Sequence, residues 1–108
     1  MTITINIAND FSDAPGARYR KDGPFSGEQF FSDFLDKQFE DVRNNKSKLI
    51  IELDGTWGYA TSFLSEAFGL LSDKYGSEEV FEIIVLTSDE DPELIEYIEK
   101  IIKNPRVK

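Results

Sequence analysis

Two carboxylates in a short apolar stretch are the first residues that could do chemistry. Glu52 and Asp54 are two positions apart, and side chains at this spacing in a strand point to the same face. Such a pair could act as nucleophile and general acid, or could give oxygen ligands to a metal ion. A metal ion would need further ligands, and no later pair of acids follows a recognisable strand end. We therefore interpret Asp54 and Gly55 as the start of a turn, and we expect no metal and no cofactor.

The order Glu52-Leu-Asp-Gly-Thr56 is similar to the Asp-x-Asp-Gly-Thr start of haloacid-dehalogenase-type phosphatases. In those enzymes the first carboxylate is the nucleophile, and it lies on the first strand of a much longer chain. Here the first position is Glu52, on the second predicted strand of a chain of 108 residues. Hydrolysis of a phosphate ester is therefore the weaker alternative, and we expect that the protein is not an enzyme.

A hydroxyl pair, Thr61 and Ser62, follows a loop that contains Gly55 and Gly58. A serine nucleophile needs a base, and the sequence has no histidine to provide one. The two glycines lack the lysine and the spacing of a phosphate-binding P-loop. Serine and threonine are preferred N-caps, so we predict that the pair caps a helix, a role that is compatible with phosphorylation at Thr61 or Ser62.

Two arginines lie in a long loop, residues 9–24, that is rich in Asp, Gly and Pro. Long loops in small domains are usually functional or disordered. Arg18 and Arg20 could simply be solvated, or they could bind an anion beside the N-terminus of the helix that begins at Thr61. We predict that one of them pairs with a carboxylate or approaches that helix end.

Composition limits the classes of function. The length fits a single domain, residues 1–108, and nine Phe, four Tyr and one Trp provide core material. The formal charge of −9 argues against nucleic acid as a partner, because phosphate binding needs a basic face. The first residues have neither a basic segment nor a long apolar stretch, so we expect no membrane segment and a cytoplasmic protein. The sequence also allows a homo-oligomer.

Hydrophobic periodicity predicts the elements that must position these residues. Alternating or continuous apolar residues predict strands near 2–8, 48–54 and 81–87, and three- and four-residue spacings predict helices near 27–44, 61–75 and 92–103. This alternation is typical of an α/β fold with a mostly parallel sheet, and we expect strand 48–54 at its centre. The residues that we predict in the core are Phe34, Phe68, Leu71 and Ile98.

The resemblance to a known family rests on two stretches, PGARYRKDGPFSGEQF (residues 15–30) and LDGTWGYATSFLSEAFG (residues 53–69). They resemble the bacterial family of STAS-like domains, whose members share an Arg-Tyr-Arg…Asp-Gly-Pro…Ser-Gly loop and an Asp-Gly…Ser-Phe-Leu-x-Glu-Ala-Phe-Gly helix. More distantly, the unit of strand, loop, hydroxyl and helix is similar to the STAS domains of anti-sigma-factor antagonists. The resemblance implies a single-domain STAS-like α/β sandwich and a regulatory or interaction role beside a histidine-kinase-like ATPase.

In the phosphorylated STAS domains the helix begins at Asp-Ser-(Ser/Ala)-Gly-Leu, and a kinase modifies the serine. Here Ala60 stands in the place of the aspartate and Phe63 in the place of the glycine, so the modification does not transfer with the motif. We predict a non-catalytic protein-interaction domain, with a small-ligand or anion-binding module as the alternative. The predicted partner-binding residues lie in the glycine loop and the helix after it: Trp57, Tyr59, Thr61, Ser62 and Ser65.

Overall fold

A three-stranded parallel sheet forms the base of the fold. The computed structural model describes residues 2–105, so Met1 and residues 106–108 of the predicted domain lie outside the described part. The strands are β1 (Ile3–Asn6), β2 (Leu49–Glu52) and β3 (Ile84–Thr87), and they are ordered β1-β2-β3 in the sheet. Both pairings are parallel. The predicted α/β class is therefore confirmed, with strand 48–54 at the centre of the sheet.

Residues 2–105 contain five helices and, in the long loop, a single 3-10 turn at Arg20–Asp22. The long helix α2 covers residues 27–44 and has a π-helical turn, Phe31–Leu35, between two α-helical parts. Its predicted range is confirmed, and so is that of the helix at 61–75; the last helix begins one residue after the predicted position. The other four are α1 (Ile7–Asp10), α3 (Thr61–Tyr75), α4 (Ser77–Ile83) and α5 (Glu93–Lys103).

All three strands are shorter than predicted, the central one covering Leu49–Glu52. The first strand ends at Asn6, because the Asn6 side chain accepts a hydrogen bond from the Asn9 amide at 2.9 Å and so caps the short helix α1. The third strand begins only at Ile84. Phe81 to Ile83, predicted as strand, continue α4, in which Val80 and Ile83 are buried at helical spacing.

Only one face of the sheet is covered by helices. The register aligns the apolar side chains of the covered face in two rows across the strands: Ile3, Leu49 and Ile84, then Ile5, Ile51 and Leu86. The alternate residues of each strand, such as Val85, are exposed or half-buried. Two right-handed crossovers in the same direction along a sheet place their helices on the same side, which explains this two-layer arrangement.

The core contains three of the four predicted residues. Phe68, Leu71 and Ile98 are fully buried, but the prediction for Phe34 is wrong because its side chain is only half-buried. In α2 the buried positions include Phe30 and Leu35, five residues apart, and the π-helical turn creates this five-residue step. A regular α-helix would have directed residue 34 inward instead.

Two further features of the helices are their length and apolar character, which bear on membrane spanning, and the capping of α2. Within residues 2–105, no helix is both long enough and apolar enough to span a membrane. At the start of α2, the Ser26 hydroxyl accepts a hydrogen bond from the Gln29 amide at 3.0 Å. The Gln29 side-chain oxygen accepts a hydrogen bond from the Phe25 amide, one residue before the N-cap amide that a standard capping box uses.

Candidate functional site

The glycine loop between β2 and α3 lies at the carboxyl ends of the parallel strands. Gly55 and Gly58 have φ angles of 98° and 140°, which L-residues rarely adopt. A side chain at position 55 would also place its Cβ 3.1 Å from the Cβ of Ala8. The backbone amide of Trp57 donates a hydrogen bond to the carbonyl of Asp13 at 2.8 Å. The loop is therefore fixed by its glycines and by the segment that follows α1.

Trp57 projects from this loop into solvent, and its relative exposure is 89 %. The next aromatic residue of the loop, Tyr59, is half-buried. Its hydroxyl donates to the carbonyl of Leu53 at 2.7 Å, and its ring stacks on Phe63 with 6.1 Å between centroids. Burial raises the pKa of Tyr59 to about 12, so the phenol stays protonated and keeps this bond at neutral pH. One aromatic ring therefore anchors the loop and the other is free to make contacts.

The hydroxyl residues of α3 do not cap it. The N-cap is Ala60, whose carbonyl accepts from the amides of Phe63 and Leu64. Capping by Thr61 or Ser62 was therefore a wrong prediction, because both residues are already inside the helix. The Thr61 side chain is exposed and that of Ser62 is half-buried, so Thr61 is the more accessible hydroxyl.

A groove lies beside the glycine loop, between the first turns of α3 and α5. It has a volume of about 460 Å³, and a smaller hollow of about 220 Å³ under Trp57 adjoins it and shares Tyr59, Asp91 and Leu94. We call the larger cavity the strand-end groove. Its lining residues are Tyr59, Thr61, Leu64, Asp91, Glu93, Leu94, Glu96, Tyr97 and Lys100.

The structure brings together only part of the predicted face. Trp57, Tyr59 and Thr61 surround the groove and the hollow. Ser65, one helical turn after Thr61, lines a separate hollow of about 100 Å³ that also contains Arg18. The five predicted partner-binding residues therefore do not line one cavity, and the groove continues onto α5.

Sequence reasoning missed the contribution of α5. Glu93, Glu96 and the 39 % exposed Tyr97 line the groove opposite Thr61, and none of them is among the predicted partner-binding residues. A signal for these residues was present, since a helix that follows a parallel strand begins at the carboxyl edge of the sheet. The outward side of its amphipathic pattern then identifies Glu93 and Tyr97.

Asp54 organises the loop after β3. Its carboxylate accepts hydrogen bonds from the Asp89 amide (2.8 Å), the Ser88 hydroxyl (2.8 Å) and the Glu90 amide (3.2 Å). These bonds lower the pKa of Asp54, with the Asp89 amide making the largest contribution. Glu52 instead accepts from the Asn6 side chain at 3.2 Å, on the opposite neighbouring strand. The two carboxylates therefore bind different partners and are not combined in one site.

The stability of the protein should depend on this carboxylate in a pH-dependent way. A lowered pKa in the folded state stabilises the fold fully above the unfolded value of about 3.9, and this stabilisation is lost as the pH falls through the lower folded value. We expect Asp54→Asn to lower the urea midpoint at pH 7, and we expect the difference from wild type to shrink at pH 3. Asp41→Asn, on an exposed part of α2, is the control. An equal difference at both pH values would contradict this role.

Both arginines of the long loop have carboxylate partners. Arg18 lies 3.5 Å from Glu66 of α3, and Arg20 lies 2.9 Å from Asp33 of α2. The prediction that one arginine pairs with a carboxylate is confirmed. The anion-binding role of Arg18 and Arg20 stays a prediction. Among the described residues, no group of three or more acidic side chains is arranged to hold a metal ion.

Comparison with known proteins gives one match. The sequence model of the family described as "STAS-like domain of unknown function (DUF4325)" matches residues 26–94, which is more than half of the chain. The matched range includes α2, β2, the glycine loop, α3 and β3, and it ends in the first turn of α5. Neither the curated proteins nor the solved structures contain a significant match.

Proposed function

This chain belongs to the family of STAS-like domains, and from that premise we propose that it is a regulatory domain which binds a partner protein. The contact surface is Trp57 together with the strand-end groove. The role is non-catalytic, because the carboxylates with catalytic spacing, Glu52 and Asp54, each hold a neighbouring part of the fold. The partner class that the family resemblance favours is a histidine-kinase-like ATPase.

The observation that carries this proposal is the exposure of Trp57. A tryptophan that is 89 % exposed leaves a large apolar area in water, and tryptophan is among the residues most enriched at binding hot spots. The loop below it is held by the Trp57 amide and the Tyr59 hydroxyl. A loop that is already held loses little backbone freedom on binding, so the contact area of Trp57 contributes efficiently to affinity.

Removal of the indole should abolish capture of the partner. We expect an immobilised wild-type domain to retain a specific protein from a native extract, and Trp57→Ala to lose at least about 90 % of it, since loss of a hot spot costs 2 kcal/mol or more. Val85→Ala is the control, because Val85 is also an exposed apolar residue but lies on the uncovered face of the sheet and lines neither the groove nor the hollow. Quantitative mass spectrometry of the retained proteins measures the result. Equal retention by wild type and Trp57→Ala would contradict the proposal.

Within the same proposal, Thr61 is the residue whose phosphorylation would regulate binding. Its hydroxyl is exposed, it lines the groove, and it stands at the first position of α3, where the helix dipole favours a negative group. A phosphate would fill part of the groove while leaving the core untouched. Ser62, the second predicted site, is half-buried and therefore less suited.

We expect Thr61→Glu to strengthen partner binding by at least about fivefold with no loss of thermal stability, since it adds a carboxylate to a groove that already carries Asp91, Glu93 and Glu96 and therefore favours a basic partner. Ser32→Glu introduces the same side chain at an exposed position of α2 and is the control. Isothermal titration with the captured partner measures the affinity, and circular dichroism measures the melting temperature. Wild-type affinity of Thr61→Glu would show that this position is not the switch.

A further inference from the structure

The charge of the strand-end groove indicates which kind of partner surface it fits. The three carboxylates of its lining, Asp91, Glu93 and Glu96, are opposed by a single ammonium group, that of Lys100. In the adjoining hollow the charged lining residues are Asp54, Glu90 and Asp91, all of them acidic. This part of the surface therefore concentrates the negative charge of a chain whose formal charge is −9.

We infer that the strand-end groove takes a lysine- or arginine-rich amphipathic segment of the partner protein. This inference rests on the proposed function and adds the chemistry of the partner to it. An acidic surface attracts a basic segment over a distance of about one Debye length, and it repels an acidic one. The charge thus selects the sign of the partner before any close contact is made.

The groove also provides the apolar contacts that such a segment needs. Leu64 and Leu94 form part of its lining, between α3 and α5. The rings of Trp57 and Tyr97 are exposed, and a guanidinium or ammonium group over an aromatic face gains cation–π attraction. A segment with apolar side chains on one side and basic side chains on the other would therefore contact the leucines and aromatic rings with its apolar side and the carboxylates with its basic side. A purely apolar partner would bury the three carboxylates of the groove with Lys100 as their single counter-charge, which is costly.

Trp57 makes this inference directly measurable. It is the only tryptophan in the sequence, and it lines the hollow that adjoins the groove, so its emission reports on binding at this part of the surface. The probe is a synthetic helical peptide of leucine and lysine, 14 residues long, and the matched control is the same peptide with glutamate in place of lysine. We expect the lysine peptide to shift the Trp57 emission to shorter wavelength and to bind less tightly as salt is raised. The glutamate peptide should leave the emission unchanged.

A second experiment reverses the charge of the groove. We expect Glu93→Lys/Glu96→Lys to weaken binding of the lysine peptide by at least about tenfold, since charged groups at an interface govern association with a charged partner. The control variant is Asp41→Lys/Glu78→Lys, which makes the same change of net charge at exposed positions near the amino ends of the strands. It should keep at least about half of the wild-type affinity, because distant charges are screened.

Two results would overturn the inference. One is absence of lysine-peptide binding, and the other is an equal loss of affinity in the two double variants, which would mean that only the net charge matters. Neither result would affect the proposed function if capture of the native partner still depends on Trp57. Conversely, partner capture that does not depend on Trp57 would contradict the proposed function, whether or not the lysine peptide binds.

Discussion

Phe68→Ala should destabilise the domain by about 3–5 kcal/mol, since the substitution removes a buried ring and leaves a cavity that its neighbours fill only in part. Phe68 is fully buried in α3, the helix that packs against both α2 and α5. Domains of this size are typically stable by about 5–15 kcal/mol, so the variant would lose a large part of its stability.

The measurement for Phe68→Ala is urea unfolding followed by circular dichroism. Tryptophan emission is a poor probe of unfolding here, because Trp57 is already 89 % exposed in the folded protein. Phe81→Ala, at a position that is 39 % exposed, is the control and should cost less than about 2 kcal/mol, since less apolar area is buried there. A cost below about 1 kcal/mol for Phe68→Ala would show that this side chain does not hold the helix layer together.

Gly27→Ala should destabilise the domain by about 2–3 kcal/mol, because the added methyl group has no space between two helices. A Cβ at position 27 would lie 2.5 Å from the carbonyl oxygen of Phe63, 2.9 Å from the Cβ of Glu66 and 3.1 Å from the amide nitrogen of Ala67. The first and third of these neighbours are backbone atoms of α3, so they cannot move without shifting that helix. The start of α2 would have to move away from α3.

Gly69→Ala is the matched control for Gly27→Ala. Gly69 is also buried, but its added Cβ would meet only ordinary contacts with Pro105, at 3.6 and 3.8 Å. Alanine is favoured over glycine inside a helix by about 1 kcal/mol, so this variant should be as stable as wild type or slightly more stable. Urea midpoints of the two variants decide the point. If Gly27→Ala unfolds at the same urea concentration as Gly69→Ala, the close packing of α2 on α3 is wrong.

The sequence was sufficient for the order of the three strands and the three long helices and for the parallel pairing, because the periodicity of long apolar stripes reflects which face is buried; the short helices α1 and α4 were not predicted. The prediction of element boundaries failed where a strand-like composition overlapped with a helical spacing of buried residues. The run from Phe81 to Thr87 is rich in apolar and β-branched residues, yet its first three residues extend α4 because Ile83 packs with Val80 on one helix face. The wrong placement of Phe34 has a similar origin, since a π-helical turn leaves no clear mark in the sequence.

The candidate site was predictable in its location and not in its composition. The loop with Trp57 could be identified because it follows the central strand of a parallel sheet and precedes a helix. The groove needs a second helix, and the proximity of Tyr97 to Thr61 depends on how α5 packs on α3. That packing is set by buried contacts between distant residues, such as the bond from the Ser72 hydroxyl to the Ile102 carbonyl, 30 positions apart, which a single sequence does not reveal.

The central claim is that a partner protein binds at Trp57 and the strand-end groove. Hydrogen–deuterium exchange of the domain, with and without the captured partner, tests it most directly. The account predicts slower exchange in residues 55–64 and 91–97, with no change in residues 41–47 and 76–80 near the amino ends of the strands. Protection of residues 41–47 and 76–80 alone, with unchanged exchange around Trp57, would contradict the claim.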